Sequence, residues 1–385
     1  MLKNIHFSIR SNIIAGENTF TQLPDLLIEY AIRNPAVLVD KNLYDSSDYV
    51  VEVVKNIVPE DRLVYYNHPF EPSYQFLDSL MKDLEDSQIS KKVDAWIGIG
   101  GGSTMDAAKG LAILCNNQCP SINYKGFPTE INVPLPVIAV PSTTGTGSEV
   151  VYNASFIDEE SKEKMGINYK YNYPVLAILD PLIPSSAPLR VLASSGCDAL
   201  VHTLESFMST ETNGQVRYFS QKAYSLIMSN METILKGEGD LNNWLNMQWA
   251  AVYAMFALSN STYGPAGALS YYLGANYKVN HGVAGGVFIG KVCQYNHENE
   301  FFDLSELYEK DNKNVLSRKE KSALIVQEIK NLLEFANMPE NLSDFGVKET
   351  DLDGFNEFAA QAKGALDFNP IKIDPTCVAE LFVTI

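Results

Sequence analysis

The fold of this 385-residue chain is decided by the stretch Trp96-Ile-Gly-Ile-Gly-Gly-Gly-Ser-Thr-Met-Asp-Ala-Ala-Lys109. Its apolar start, Ala95 to Ile99, predicts a buried strand, and a helical pattern follows the glycines. A strand, a glycine turn and a helix N-terminus together favour a phosphate, because glycines allow close approach and free N–H groups carry partial positive charge. Ser103 is expected both to cap the helix and to touch the ligand. A tight turn without a ligand is the alternative.

Strand and helix patterns alternate through the first half of the chain. Parallel sheets covered by helices have this order, so we predict an α/β domain built on a parallel sheet. The predicted strands are Ile5–Ile9, Asn12–Ala15, Ala36–Val39, Arg62–Tyr66, Ala95–Ile99, Leu135–Val140 and Val175–Leu179. The predicted helices are Thr19–Ile32, Tyr49–Val58 and Ser73–Leu84, in addition to the helix after Gly102.

Beyond Pro184 the strand patterns give way to long helical ones. The predicted helices are Cys197–Met208, Gln215–Met231, Asn242–Ser259, Ala266–Tyr277, Arg318–Ala336 and Thr350–Gln361, with one more opening at His281. We therefore divide the chain into a dinucleotide-binding α/β domain, residues 1–185, and an all-helical domain, residues 186–385.

Composition excludes several classes of partner. The formal net charge of −18 argues against nucleic acid and anionic membranes. No apolar run reaches membrane-spanning length, and Met1 to Ser11 has no signal-peptide pattern. The five cysteines are scattered and odd in number, as expected for free thiols in a reducing compartment. A cytoplasmic protein, working as a homodimer on a small molecule, is predicted.

Two polar segments follow predicted strands, at the strand ends where open α/β sheets bind ligands. Asp40 could accept hydrogen bonds from a ribose and repel a 2′-phosphate, which favours NAD over NADP; a plain polar turn is the alternative. The loop Pro141-Ser-Thr-Thr-Gly-Thr-Gly-Ser-Glu149 has five hydroxyl side chains and two glycines in nine residues. It is interpreted as a ligand loop, with a flexible linker as the alternative.

A carboxylate and an imidazole are spaced four residues apart in a predicted helix. Asp198 and His202 then share one helix face and could bind a divalent metal together. A plain hydrogen bond between them, or a helix-start Asp198, is the alternative. His281 opens another helix and is either a third ligand or a structural residue.

Together these motifs resemble the iron-containing (group III) alcohol dehydrogenase family. Gly100 to Lys109 is similar to its GGGSxxDxxK signature, and Pro141 to Glu149 is similar to its PTTxGTGSE loop, with Ser142 in place of the first threonine. The segments around Asp198–His202 and Asn280–His281 resemble its metal helix and last metal histidine. The resemblance implies a dinucleotide domain, a helical domain and a metal in the cleft. The implied reaction is hydride transfer between a primary alcohol or aldehyde and nicotinamide.

The resemblance also implies roles for individual residues. Gly100, Gly101, Gly102 and Ser103 would hold the pyrophosphate of NAD or NADP, and Asp40 would face the ribose. The nicotinamide side would be lined by Ser142, Thr143 and Thr146, with Asn153, Lys164 and Pro181 or Leu182 nearby. A divalent metal, iron or zinc, would be bound by Asp198, His202 and His281.

One departure from the family pattern affects the metal. The family has a further metal histidine fourteen residues before the position of His281, and here that residue is Gly267. Three ligands could still hold a metal with open positions; alternatively the metal is lost. The family's proton-relay histidine corresponds to Tyr271, which either takes over the relay together with His202 at the catalytic site or is a packed aromatic residue.

Tyr271 and the C-terminal tail resemble the 3-deoxy-manno-octulosonate 8-oxidase branch, which implies a small polar or sugar-type primary alcohol as substrate. Two alternatives remain open. One is a lyase resembling dehydroquinate synthase, and the other is a nucleotide-binding descendant without catalysis.

Overall fold

A computed structural model describes residues 7–69, 71–89, 92–309 and 316–385. The chain forms two compact units, Ile9–Pro188 and Leu189–Ile385, and the segment at Ser8 belongs with the second. There Ser8 N donates to Asn260 Oδ1 at 2.7 Å. None of the helices in these described ranges is long and apolar enough to cross a membrane.

The first unit is built on a six-stranded parallel sheet with the order β1-β8-β5-β4-β2-β3. The strands are β1 Asn12–Ala15, β2 Pro35–Asp40, β3 Leu63–Tyr66, β4 Ala95–Gly100, β5 Val137–Pro141 and β8 Leu176–Leu179. Two-residue strands, β6 Asn153–Ala154 and β7 Ile167–Asn168, form a separate antiparallel pair. The parallel α/β architecture is confirmed.

Helices connect the strands of this sheet. They are α1 Leu23–Glu29, α2 Lys41–Ser46, α3 Asp48–Ile57, α4 Tyr74–Asp86 and α5 Gly102–Leu114. Each face of the sheet carries its own apolar cluster, one around Val37, Ile97 and Ile138 and the other around Leu38, Trp96 and Leu111. Burial on both faces explains why the central strands are continuous apolar runs instead of alternating patterns.

The strand order reverses between β2 and β4. From β2 the chain adds β3 on one side, and it then returns to place β4, β5 and β8 on the other. A reversal of this kind opens a crevice at the carboxyl ends of the two strands, where open α/β sheets bind ligands. Asp40 ends β2 and Gly100 ends β4 at this crevice.

One predicted strand in this unit and the alternative interpretation of the segment after Asp40 differ from the structure. The first two residues of the predicted strand Ile5–Ile9, including His6, lie outside the described residues. The remaining residues, Phe7–Ile9, do not form a strand. The polar segment after Asp40 is the helix α2 instead of a turn: the Asp40 side chain accepts a hydrogen bond from Leu43 N at 2.9 Å, which caps that helix.

The second unit is helical, as predicted. Its helices are α6 Leu189–Met208, α7 Gly214–Leu235, α8 Leu241–Leu258, α9 Pro265–Tyr277, α10 His281–Glu298, α11 Arg318–Phe335, α12 Leu352–Gln361, α13 Lys363–Asp367 and α14 Val378–Phe382. Its core is one apolar cluster centred on α6, which is buried along most of its length. α6 therefore presents its polar residues, Asp198 and His202, from a rigid element.

Candidate active site

Within the described residues, no side-chain hydrogen bond caps the N-terminus of α5, which begins at the glycine turn. Gly101 is the N-cap residue, and the expectation that Ser103 caps the helix is wrong, because Ser103 is the second helical residue. Gly100 has φ +158°, and a Cβ added there would lie 2.6 Å from Thr104 Oγ1, so only glycine fits. Unsatisfied N–H groups at a helix N-terminus are suited to bind an anion.

The second loop, residues 142–149, lies against this turn. Ser142 N donates to Gly100 O at 2.8 Å. A Cβ added to Gly102 would lie 2.6 Å from Thr146 Cγ2, and one added to Gly101 would lie 3.3 Å from Thr143 Cγ2. The predicted diphosphate and nicotinamide loops are thus packed together, and the side chains of Thr143 and Thr146 occupy the space beside the two glycines.

A buried ion pair locks the second loop onto α5. Lys109 is fully buried, lies 2.9 Å from Asp106 Oδ1, and donates to the carbonyls of Ser148 and Val151 at 3.1 and 3.3 Å and to that of Asn153. Asp106 in turn accepts from Ser148 Oγ at 2.6 Å. Sequence reasoning had assigned no role to these two residues, although their i, i+3 spacing in the signature was the signal. Lys109 and Asp106 therefore fix the position of the second loop relative to α5.

Tyr66 connects the ribose and phosphate candidates. It lies opposite Asp40 in the parallel register of β2 and β3, is buried, and is hydrogen-bonded to Ser103. Burial raises the pKa of its hydroxyl, so it stays protonated at neutral pH. It therefore orients Ser103 beside the glycine turn.

The three remaining cofactor candidates lie on other segments of the same unit. The Asn153 side chain bonds to Asn168 within the β6–β7 pair. Lys164 Nζ lies 2.7 Å from Glu71 Oε1, in a largely buried ion pair. Leu182 follows β8, and its N–H donates to Asp180 Oδ1 at 3.1 Å. Lys164 would have to share its ammonium between Glu71 and a bound cofactor.

The second unit brings the three predicted metal ligands together. Asp198 and His202 occupy one face of α6, and His281 is the first residue of α10. One potential ligand atom from each lies within 4.8 Å of the other two. Asp198 is 4% exposed, and both histidines are partly buried. A compact carboxylate–imidazole set held on packed helices is suited to a divalent cation.

The spacing of these atoms distinguishes a metal site from a direct hydrogen bond. Asp198 Oδ1 lies 3.6 Å from His202 Nε2 and 3.8 Å from His281 Nε2. Both separations exceed hydrogen-bonding distance. Two donors bound tetrahedrally to one ion at about 2.1 Å would lie about 3.4 Å apart. Asp198, His202 and His281 therefore fit a metal ion, and a side-chain ligand at residue 267 is not needed for that fit.

Residues of α9 contact one of the two imidazoles. Ser270 Oγ lies 2.9 Å from His281 Nδ1, and the Tyr271 ring is stacked on the His281 ring with centroids 5.0 Å apart and an interplanar angle of 11°. By contrast, His202 Nδ1 is buried without a hydrogen-bond partner among the described residues. The sequence analysis predicted a role for Tyr271 at the metal site, but no motif pointed to Ser270.

Gly267, at the position where the resemblance predicts a further metal ligand, has a structural role. Its N–H donates to Glu205 Oε1 at 3.0 Å, and the N–H of Gly264 donates to Glu205 Oε2 at 2.9 Å. The buried carboxylate of Glu205 on α6 thus caps the N-terminus of α9, where a negative charge is favourable. Burial nevertheless raises its pKa to about 7, against the lowering effect of these N–H groups.

Comparison with known proteins agrees with this architecture. The sequence model of the iron-containing alcohol dehydrogenase family matches residues 10–181. A second sequence model, of the C-terminal region of the same family, matches residues 192–385. The 1,3-propanediol dehydrogenase of Citrobacter freundii is 31% identical over 75% of each chain. The NAD-dependent methanol dehydrogenase of Bacillus methanolicus is 25% identical over 90% of this chain and 91% of that one. A crystal structure of a 1,3-propanediol oxidoreductase superposes with a TM-score of 0.87, at 27% identity and 99% coverage of both chains.

The protein is an oxidoreductase that acts on CH–OH groups. Its features are a dinucleotide-type α/β unit and a helical unit that contains the carboxylate–imidazole set. The chain belongs to the iron-containing alcohol dehydrogenase family.

Proposed function

We propose that the protein is an NAD-dependent alcohol dehydrogenase or aldehyde reductase acting on a small polar or sugar-type primary alcohol. The observation that carries the proposal is the presence in one chain of two features: an α5 N-terminus that begins at a glycine turn, and a spacing of Asp198, His202 and His281 that suits a metal. Relatives named as dehydrogenases of propanediol and methanol support oxidoreduction over lyase chemistry. The resemblance at Tyr271 and the C-terminal tail supports a sugar-type substrate.

In this proposal Gly101, Gly102 and Ser103 bind the diphosphate through their N–H groups, and Ser142, Thr143 and Thr146 line the nicotinamide side. A nicotinamide held there would supply the acceptor for a hydride from the alcohol carbon. Asp198, His202 and His281 would hold a metal ion, which would supply a Lewis acid for the substrate oxygen. Tyr271, stacked on His281, would relay the hydroxyl proton: its oxygen accepts that proton as its own phenol proton passes to water. Loss of a hydride and a proton leaves the aldehyde.

Calorimetry with NAD⁺ and NADH, followed by absorbance of the reduced cofactor with a panel of primary alcohols, tests the proposal. We expect cofactor binding and turnover of at least one polar primary alcohol after loading with Fe²⁺ or Zn²⁺. Binding without turnover of any alcohol or aldehyde would favour the non-catalytic descendant, and absence of binding would refute the proposal.

We also propose that the protein works in the cytoplasm as a homodimer. Its five cysteines are free, which agrees with a reducing compartment. Sedimentation equilibrium of the purified protein tests the homodimer, and a monomer at micromolar concentration would contradict it.

The choice between NAD⁺ and NADP⁺ can be tested at Asp40. Because Asp40 also caps α2, Asp40→Asn is the sharper variant: asparagine keeps a capping oxygen but removes the charge. Repulsion between a carboxylate and a nearby phosphate costs about 1 kcal/mol or more, so NADP⁺ should bind at least about fivefold tighter to the variant. Unchanged discrimination in calorimetry would mean that Asp40 does not face the 2′ position.

A further inference from the structure

We propose that Ser270 is a positioning residue that fixes His281 with its proton on Nδ1, so that Nε2 is ready to bind the metal. The proposal rests on the proposed metal site. Its basis is the pair of hydrogen bonds at the Ser270 hydroxyl, which lies at 2.6 Å from Gly267 O and 2.9 Å from His281 Nδ1. Ser270 is fully buried, so water does not compete for either bond.

The direction of both bonds follows from the number of protons. A serine hydroxyl has one proton, and a backbone carbonyl can only accept. The short contact to Gly267 O therefore uses the Ser270 proton. The Ser270 oxygen must then accept from His281, which places a proton on Nδ1. In a neutral imidazole the lone pair is consequently on Nε2, the atom that faces Asp198 Oδ1 at 3.8 Å.

The neighbouring residue fixes the plane of the same ring. Tyr271 follows Ser270 on α9, and its ring lies nearly parallel to that of His281. A flip of the imidazole would exchange Nδ1 with Cδ2 and lose the Ser270 bond. The in-plane bond and the stacked face together hold Nε2 toward Asp198, in the way that outer contacts orient metal-binding histidines in general.

The support extends to the residue that replaces the family's additional ligand. Glu205 on α6 fixes Gly267 through its N–H, and Gly267 O receives the Ser270 hydroxyl. A Cβ added at residue 267 would lie 2.8 Å from Glu205 Oε2. In this chain residue 267 therefore contributes its backbone carbonyl to orienting His281 through Ser270.

A second histidine of α10 that also contacts a buried serine provides the control. His297, in the last turn of α10, has its Nδ1 2.9 Å from Ser322 Oγ, and Ser322 is also fully buried. Ser270→Ala and Ser322→Ala thus remove the same kind of contact from two histidines of α10, only one of which belongs to the metal cluster. Ser270→Thr keeps a hydroxyl at the site.

We expect Ser270→Ala to weaken Zn²⁺ binding about 10- to 100-fold, the usual effect of removing an outer contact to a ligand. Ser322→Ala should bind Zn²⁺ like the wild type, and Ser270→Thr should restore most of the affinity. The measurement is competition against a chelating dye with the metal-free, full-length protein. Equal affinity in Ser270→Ala and Ser322→Ala would overturn the proposal.

Nitrogen NMR of ¹⁵N-histidine-labelled metal-free protein tests the tautomer directly. We expect one imidazole with protonated Nδ1 whose signal changes in Ser270→Ala and not in Ser322→Ala. A protonated Nε2 on that imidazole would refute the proposal even if Ser270→Ala weakened Zn²⁺ binding. Neither measurement uses turnover, so failure of the dehydrogenase proposal would appear separately, as absent cofactor reduction.

Discussion

Replacing His281 with alanine is expected to remove the bound metal and to lower alcohol turnover about a thousandfold. The variant leaves Asp198 and His202 as the candidate side-chain ligands, and two donors are fewer than the three protein ligands usual for a catalytic ion. Polarisation of the substrate oxygen contributes several kcal/mol to lowering the barrier. A loss of about 4 kcal/mol corresponds to roughly three orders of magnitude in rate.

The control is His297→Ala, which removes the other histidine of α10 together with its serine contact. His297 is outside the metal cluster, so its variant should keep both metal and turnover. His202→Ala should behave like His281→Ala. The measurements are metal content by elemental analysis and rates normalised to folded protein. Wild-type metal content and turnover in both His202→Ala and His281→Ala would show that these histidines are not the metal ligands.

The sequence predicted most elements because their patterns are local. The strand β4, its glycine turn and α5 follow from an apolar run, three glycines and the signature spacing. The sequence did not predict the short helix α2, because the aspartate that precedes it, Asp40, is equally typical of a turn. In the structure the Asp40 side chain caps the helix. Phe7–Ile9 has an apolar and alternating pattern but pairs with no strand in the described chain, since alternation indicates only that a strand is possible.

The supporting residues of the site could not be predicted in the same way. Lys109 in a helix would be expected at the surface, yet it is fully buried because Asp106 and three carbonyls from the following loop surround its ammonium. Ser270 and Glu205 act through partners 11 and 62 residues away in sequence. Contacts of this kind depend on how α6, α9 and α10 pack, and no short-range pattern encodes them.

Replacing Gly102 with alanine is expected to weaken NAD⁺ binding roughly 30- to 1,000-fold. The added Cβ would lie 2.6 Å from Thr146 Cγ2, so the turn and the second loop must separate. Their separation would misdirect the N–H groups at the start of α5. Loss of one or two hydrogen bonds to a charged oxygen costs about 2–4 kcal/mol, which corresponds to that range of affinity.

Gly214→Ala is the matched control, because a Cβ there would meet nothing within 4 Å and Gly214 likewise opens a helix. It should bind NAD⁺ like the wild type in calorimetry. Partial recovery of NAD⁺ affinity in the double variant Gly102→Ala with Thr146→Ala would assign part of the loss to the collision with the Thr146 side chain. Wild-type affinity in Gly102→Ala would mean that the cofactor does not use this turn. The proposed dinucleotide site thus depends on a backbone surface that leaves no room for a side chain at residue 102.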